Sequence, residues 1–135
     1  MEKFKALSTG YYKKAHICVI VYDITCVKTF LKVEEWKKTF RQYNKSKMII
    51  LVGNKKDLNL SRDVLKEEIN DTKEKLYFDK CFEVSSLQEE DKERDEFWKC
   101  VQEYCILIEN KIVNEEMNIK MSEKPSKEVH EITCQ

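Results

Sequence analysis

The chain has 135 residues, 37% charged and 41% hydrophobic, which fits one domain able to bury a core of its own. Its 25 Lys plus Arg balance 25 Asp plus Glu, for a formal net charge of zero, so no basic patch marks nucleic acid as a partner. The longest apolar run, Ile17 to Tyr22, is far too short to cross a bilayer, and the N-terminus lacks the apolar segment of a signal peptide.

Ile17-Cys18-Val19-Ile20-Val21-Tyr22 is a continuous β-rich run ending at Asp23, the pattern of a strand buried on both faces. Thr29 to Tyr43 carries Phe30, Val33, Trp36 and Phe40 at helical spacing, which predicts an amphipathic helix with both its apolar stripe and Trp36 turned to the core. Met48 to Val52 is a second buried strand. Ser61 or Asp63 is placed to cap a helix running to about Tyr77, with Val64, Leu65, Ile69 and Leu76 on one face. Cys81 to Ser85 reads as a third, shorter strand. A long helix starts near Asp91 with an acidic first turn, as the macrodipole favours, and a stripe from Phe97 to Ile112. Trp98, on this helix, is also read as core-facing. From residue 117 the chain turns polar and holds its only proline, Pro125. That composition predicts a domain over 1–116 and a disordered tail over 117–135.

Strand, helix, strand, helix, strand, helix means an α/β fold of parallel strands joined by right-handed crossovers. Ligands of such open sheets bind beyond the carboxyl ends of the strands. Asp57 and Ser85 fall there. The 6 cysteines include no C-x-x-C pair and are accompanied by only 2 histidines. They read as small buried or half-buried apolar residues of a reducing compartment, and no structural metal site is expected.

The chemistry concentrates in Asn54-Lys55-Lys56-Asp57, directly after Val52-Gly53. A guanine edge offers an N1–H and a 2-amino group as parallel donors, and one aspartate carboxylate accepts both. Adenine offers neither, and a site that leaves a buried polar group unpaired rejects the wrong ligand by about 10⁴-fold or more. The methylene stem of Lys55 suits the face of a base. From these four residues alone, the segment is equally well read as a polar exit from a strand.

Further segments narrow that choice. Phe4-Lys5-Ala6-Leu7, Tyr11-Tyr12-Lys13-Lys14-Ala15-His16, Val21-Tyr22-Asp23-Ile24-Thr25 and Ile50-Leu51-Val52-Gly53-Asn54-Lys55-Lys56-Asp57-Leu58 together resemble the Rab branch of the Ras-superfamily small GTPases. Glu83-Val84-Ser85-Ser86-Leu87 resembles that family's second guanine loop, usually Glu-Thr-Ser-Ala-Lys. The resemblance covers roughly residues 1–114. It implies guanine contacts from Asn54, Lys55 and Asp57, a supporting role for Ser85, and a bond from the Ser86 N–H to the guanine oxygen. Leu87 stands where the family packs a lysine on the base, and Ser86 where it has alanine.

The resemblance also implies what is missing. No G-x-x-x-x-G-K-[ST] occurs in the chain, and Met1 aligns with the family's water-orienting glutamine. The expected fold is therefore a partial P-loop small-GTPase fold, with three parallel strands alternating with three helices and the N-terminal strands absent. Its open strand edge would be an aggregation template. Without the phosphate loop and magnesium ligands, GTP or GDP binding by this chain alone is expected to be weak or absent. Mg²⁺ would act only in a complete protein, and no catalytic residue is assigned.

The implied function is Rab-like regulation of intracellular vesicle transport, represented by a truncated chain. The alternative is a nucleotide-independent interaction module that meets effectors through Phe4, Leu7, Tyr11 and Tyr12. Exchange factors and effectors are the implied partners. The implied location is cytoplasmic, peripheral on endomembranes if Cys134 is lipidated. Cys134 lies second from the end, which is not a C-a-a-X position.

Overall fold

The computed structural model describes residues 10–45 and 47–133, with side chains as far as residue 122. Phe4, Leu7 and Cys134 lie outside these residues. The chain divides into two units, Met1–Phe97 and Trp98–Gln135, and the first of them holds the sheet. Residues 10–14 are helical. Strand β1 (Ile17–Asp23), helices α1 (Val27–Leu31) and α2 (Val33–Tyr43), strand β2 (Met48–Asn54), a 3₁₀ turn (Lys56–Ser61), helix α3 (Lys66–Leu76), strand β3 (Lys80–Glu83) and helix α4 (Lys92–Thr133) follow.

The strands form a parallel sheet in the order β1-β2-β3, as the alternation predicts. Ile17 to Asp23 pair with Met48 to Asn54 in unbroken register, and Ile50 to Gly53 pair with Lys80 to Glu83. β2 is the central strand, and Ile49, Ile50, Leu51 and Val52 are all buried. β1 departs from the expectation of burial on both faces. Ile20 and Tyr22 enter the core, where Tyr22 meets Phe30 edge to face with ring centroids 5.0 Å apart. Val19 and Val21 on the opposite face are 39% and 57% exposed. An apolar run fixes strand character, but which faces are covered depends on where the helices pack. Among the described residues, α1 and α2 contact β1, on the side of Ile20 and Tyr22.

The helix anticipated over Thr29 to Tyr43 begins two residues earlier and breaks at Lys32, whose backbone sits at φ −85° and ψ −8°. Phe30, Val33 and Phe40 are buried as their spacing predicts, but Trp36 is 53% exposed. Trp36 and Lys37 flank the line of Val33 and Phe40 on opposite sides, each about 50° around the helix. The Trp36 flank faces solvent, while the Lys37 ammonium sits 5.3 Å from the Phe78 ring centre. Trp98 is likewise exposed, not turned to a core. Tyr12 packs edge to face on Phe40 at 6.1 Å. The buried Asn44 donates to the carbonyls of Tyr12 and Ala15, both at 2.9 Å, and so ties residues 10–15 to the end of α2.

Neither Ser61 nor Asp63 caps α3. Leu65 occupies that position, and only half of a capping box forms, because leucine offers no acceptor: the Leu65 N–H donates to Glu68 Oε2 at 2.9 Å. Asp63 serves α1 instead, with Oδ2 accepting the Val27 N–H at 2.9 Å. β3 ends at Glu83, two residues before the predicted end, so Ser85 stands in the following loop. α4 continues to Thr133 through Pro125, where the composition after 116 predicts disorder. Glu, Lys and Met are strong helix formers, a property that low hydropathy does not report. Among the described residues the cysteines are free, and Cys18, Cys26, Cys81 and Cys100 are half-buried while Cys105 is exposed. Burial pushes the Cys18 thiol up to about 11.

Two features brace the carboxyl end of the sheet. Gly53 lies beside Tyr22 in register, and a Cβ there would stand 2.6 Å from the Tyr22 hydroxyl oxygen. Arg62 meets Glu83 in a two-pronged pair, Nη1 to Oε1 at 2.9 Å and Nη2 to Oε2 at 2.7 Å. Gly53→Ala is expected to lower stability by about 1–3 kcal/mol through this overlap, read as a fall in the thermal midpoint. The hydrogen bond from Arg62 holds the Glu83 carboxyl below its ordinary value of 4.5. A depressed carboxylate adds stability that is complete above its unfolded value and is lost as pH falls through the folded one. The denaturation midpoint should therefore hold down to the ordinary value of 4.5 and drop beneath it, and Glu83→Gln should flatten that drop.

Candidate functional site

Because the strands are parallel, β2 and β3 release their chains at the same edge of the sheet. Backbone bonds then join the two exits. The Val84 N–H donates to the Gly53 carbonyl at 2.8 Å, and the Lys56 N–H donates to the Val84 carbonyl at 3.1 Å. Asn54 to Asp57 are thereby brought against Ser85 to Leu87.

The side chains complete the junction. The fully buried Ser85 donates its hydroxyl to Asp57 Oδ1 at 2.7 Å. Ser86 and Asn54 bond reciprocally, with the Ser86 N–H donating to Asn54 Oδ1 and Asn54 Nδ2 donating to Ser86 Oγ, both at 3.2 Å. Among the described residues, Asp57 Oδ2 carries no hydrogen bond. Half of this carboxylate is thus fixed by serine and half is open to an incoming donor.

Lys55 adopts a left-handed backbone, φ 66° and ψ 34°, uncommon for a residue with a side chain. This turn carries the chain from β2 into the 3₁₀ turn and aims Asp57 at Ser85. The Lys55 ammonium meets Asp23 Oδ2 at 2.7 Å. Asp23 also accepts from the Thr25 N–H and hydroxyl at 2.8 and 2.6 Å. Burial acts to raise the Asp23 carboxyl, but the bonds from Lys55 and Thr25 outweigh it and hold the group below its ordinary value. Asp23, which has no assigned role in the sequence, is the anchor of the lysine. Leu87 is 82% exposed and packs on neither loop.

Two residues absent from the expected set grip the second loop. Asp91 is buried. Its Oδ2 accepts the Ser85 N–H at 2.7 Å, while Oδ1 accepts the Glu93 and Arg94 N–H groups at 3.0 and 3.3 Å and so caps α4. Burial tends to raise this carboxyl, but the bonds from Ser85 and Arg94, with Lys56 nearby, leave it lowered. Arg94 donates to the carbonyls of Ser85, Gln88 and Glu89. Lys56 reaches Glu93 Oε2 at 2.9 Å and stands 3.9 Å from Asp91 Oδ1. An aspartate directly before a helical pattern is the sequence signal for the Asp91 part of this grip. Of the aromatic pair, Tyr11 is 75% exposed, whereas Tyr12 is half-buried on Phe40.

The arrangement can accept two donors from the edge of a flat ring at Asp57 and offers Asn54 beside it. These residues fit the base of a guanine nucleotide. Its phosphates and Mg²⁺ find no counterpart among the described residues, where no group of three or more His, Cys, Asp or Glu is placed to hold a metal ion. A cleft of about 370 Å³ lies elsewhere, between α3 and the sheet, walled by Ile69, Cys81 and Lys73. Of the first loop it touches Lys56, which bonds Glu93 of α4 on the same rim. No helix among the described residues is long and apolar enough to cross a membrane. Ser85→Ala should free both Asp57 and the Gln88 N–H, which donates to Ser85 Oγ at 3.2 Å. We expect a stability loss of about 1–3 kcal/mol and faster amide exchange at Gln88, read by NMR.

Comparison with known proteins shows the family. The sequence profile of the Ras family matches residues 1–124. Ras-related protein Rab-30 of Homo sapiens is 31% identical over 137 residues, covering 98% of this chain and 64% of that protein. Ras-related protein RABA1h of Arabidopsis thaliana is 40% identical over 90 residues, covering 64% of this chain and 40% of that protein. Ras-related protein SEC4 of Candida albicans is 40% identical over 76 residues, 56% of this chain and 36% of that protein. The chain thus spans less than two thirds of the length of these relatives. It belongs to the Ras family, and its likeness within that family is to Rab proteins.

Proposed function

We propose that this chain carries the guanine-reading half of a Rab-like small GTPase concerned with intracellular vesicle transport. The observation that supports this best is the meeting of Asp57 with Ser85 and of Asn54 with Ser86 at the shared strand edge. In this reading the Asp57 carboxylate takes the N1–H and 2-amino donors, Asn54 braces the loop, and Lys55 covers one face of the ring. Ser85 holds Asp57, and the Ser86 N–H turns from Asn54 to the guanine oxygen. Leu87 adds only apolar cover.

Complete members of the family use guanine nucleotide with Mg²⁺. The 135 residues contain no G-x-x-x-x-G-K-[ST], so the phosphates gain no cradle here and this chain alone binds nucleotide weakly. Effectors and exchange factors of the Rab type are the proposed partners. Tyr11, exposed beside the packed Tyr12, favours a second reading in which Phe4, Leu7, Tyr11 and Tyr12 engage an effector without nucleotide. The domain is taken as 1–116, with residues 117–135 an appendage. Cys134 offers one lipidation point for peripheral attachment to endomembranes from the cytoplasm.

A titration with a fluorescent GDP analogue tests the main reading. Weak binding is expected, displaced by GMP and not by AMP, and Asp57→Asn should abolish that preference. Equal displacement by the two nucleotides would overturn base reading. Micromolar or tighter binding that depends on Asp57 would overturn the claim of weakness. Effector capture unaffected by nucleotide and lost in Tyr11→Ala would favour the second reading.

A further inference from the structure

Arg94 stands in the first turn of α4, which begins at Lys92. A cation there faces the positive end of the helix macrodipole, the less favourable end for it. The guanidinium nonetheless turns back under the preceding loop. Nη1 donates to the Ser85 carbonyl at 2.6 Å and to the Gln88 carbonyl at 2.7 Å, and Nη2 donates to the Glu89 carbonyl at 2.8 Å. Three carbonyls of one short segment converge on a single planar fork, and their dipoles would repel one another without it.

Asp91 holds the same segment by the opposite group, accepting the Ser85 N–H at 2.7 Å. Ser85 is therefore gripped at both its amide hydrogen and its carbonyl oxygen. Its hydroxyl is left to reach Asp57, and the next residue to reach Asn54. Lys56, inside the first loop, bonds Glu93 in the same helical turn. The first turn of α4 thus touches both loops, and Leu87, which is 82% exposed, anchors neither.

We propose that Arg94, acting with Asp91, is a positioning residue for guanine reading. It clamps residues 85–89 so that Ser85 Oγ and the Ser86 N–H face Asp57 and Asn54. Arg94 touches no base itself. The proposal rests on the base-reading function above. A lysine cannot take its place, because a single ammonium on a flexible stem does not present the rigid fork that spans three carbonyls.

The test uses the full chain and two NMR readouts: amide exchange at Ser86 and Gln88, and shift titrations with GMP and AMP. Arg94→Ala should speed exchange at both amides and weaken GMP about tenfold, the equivalent of one charge-assisted hydrogen bond, with AMP unchanged. Arg94→Lys should restore neither. Wild-type exchange and wild-type GMP affinity in Arg94→Ala would overturn the clamp, as would full rescue by Arg94→Lys. If Arg94→Ala does not fold, Arg94→Lys decides alone, by whether its loop amides and GMP affinity differ from wild type. If Asp57→Asn leaves GMP binding unchanged, base reading is what has failed. The clamp then stands or falls on the exchange of Ser86 and Gln88.

Discussion

Everything at the carboxyl edge of this sheet depends on β2 being paired on both sides by parallel partners. Parallel pairing sends the chain out of neighbouring strands at one end. Two loops far apart in sequence must then share an edge, and residues 54 and 86 come within hydrogen-bonding reach. Burial of β2 on both faces fixes the register, because a slip of one residue would move every side chain to the other face. The site inherits its precision from this register. Backbone bonds from Lys56 to Val84 and from Val84 to Gly53 pass it on from strand to loop.

Around that frame the polar groups form a chain of linked contacts. Asp23 holds Lys55, Ser85 holds Asp57, Asn54 holds Ser86, and Asp91 holds Ser85. Most of these contacts are carboxylates bound by N–H or O–H donors, which are the stronger class of hydrogen bond. Among the described residues no buried side-chain polar atom lacks a partner. The two loops are thus tied to one another and to α4, while among the described residues the Asp57 Oδ2 atom carries no hydrogen bond.

The strands and the Asn54 loop were legible in the sequence because apolar runs bounded by Gly53 and Asp23 are local signals. The Rab-like segments placed the second loop. What stayed hidden was decided by distant contacts. The exposure of Val21 depends on which sheet face α1 and α2 cover. The exposure of Trp36 depends on a small rotation about the helix axis. Asp63 looked like a cap for the helix that follows it, yet it serves Val27, far earlier in the chain. Arg94 carries little signal of its own, since a charged residue on a helix surface is ordinary. Only its placement in the first turn, against the helix dipole, hinted at a partner.

The contact between Tyr22 and Gly53 carries an evolutionary corollary. The ring at 22 lies over the backbone at 53, so the two positions share one volume. A family member that keeps an aromatic ring at the first position is confined to glycine at the second. A member with a small residue at the first can take alanine or serine at the second. Drift at either position is therefore conditional on the other. The glycine before the Asn54 loop answers to the core beneath it as much as to the loop it introduces.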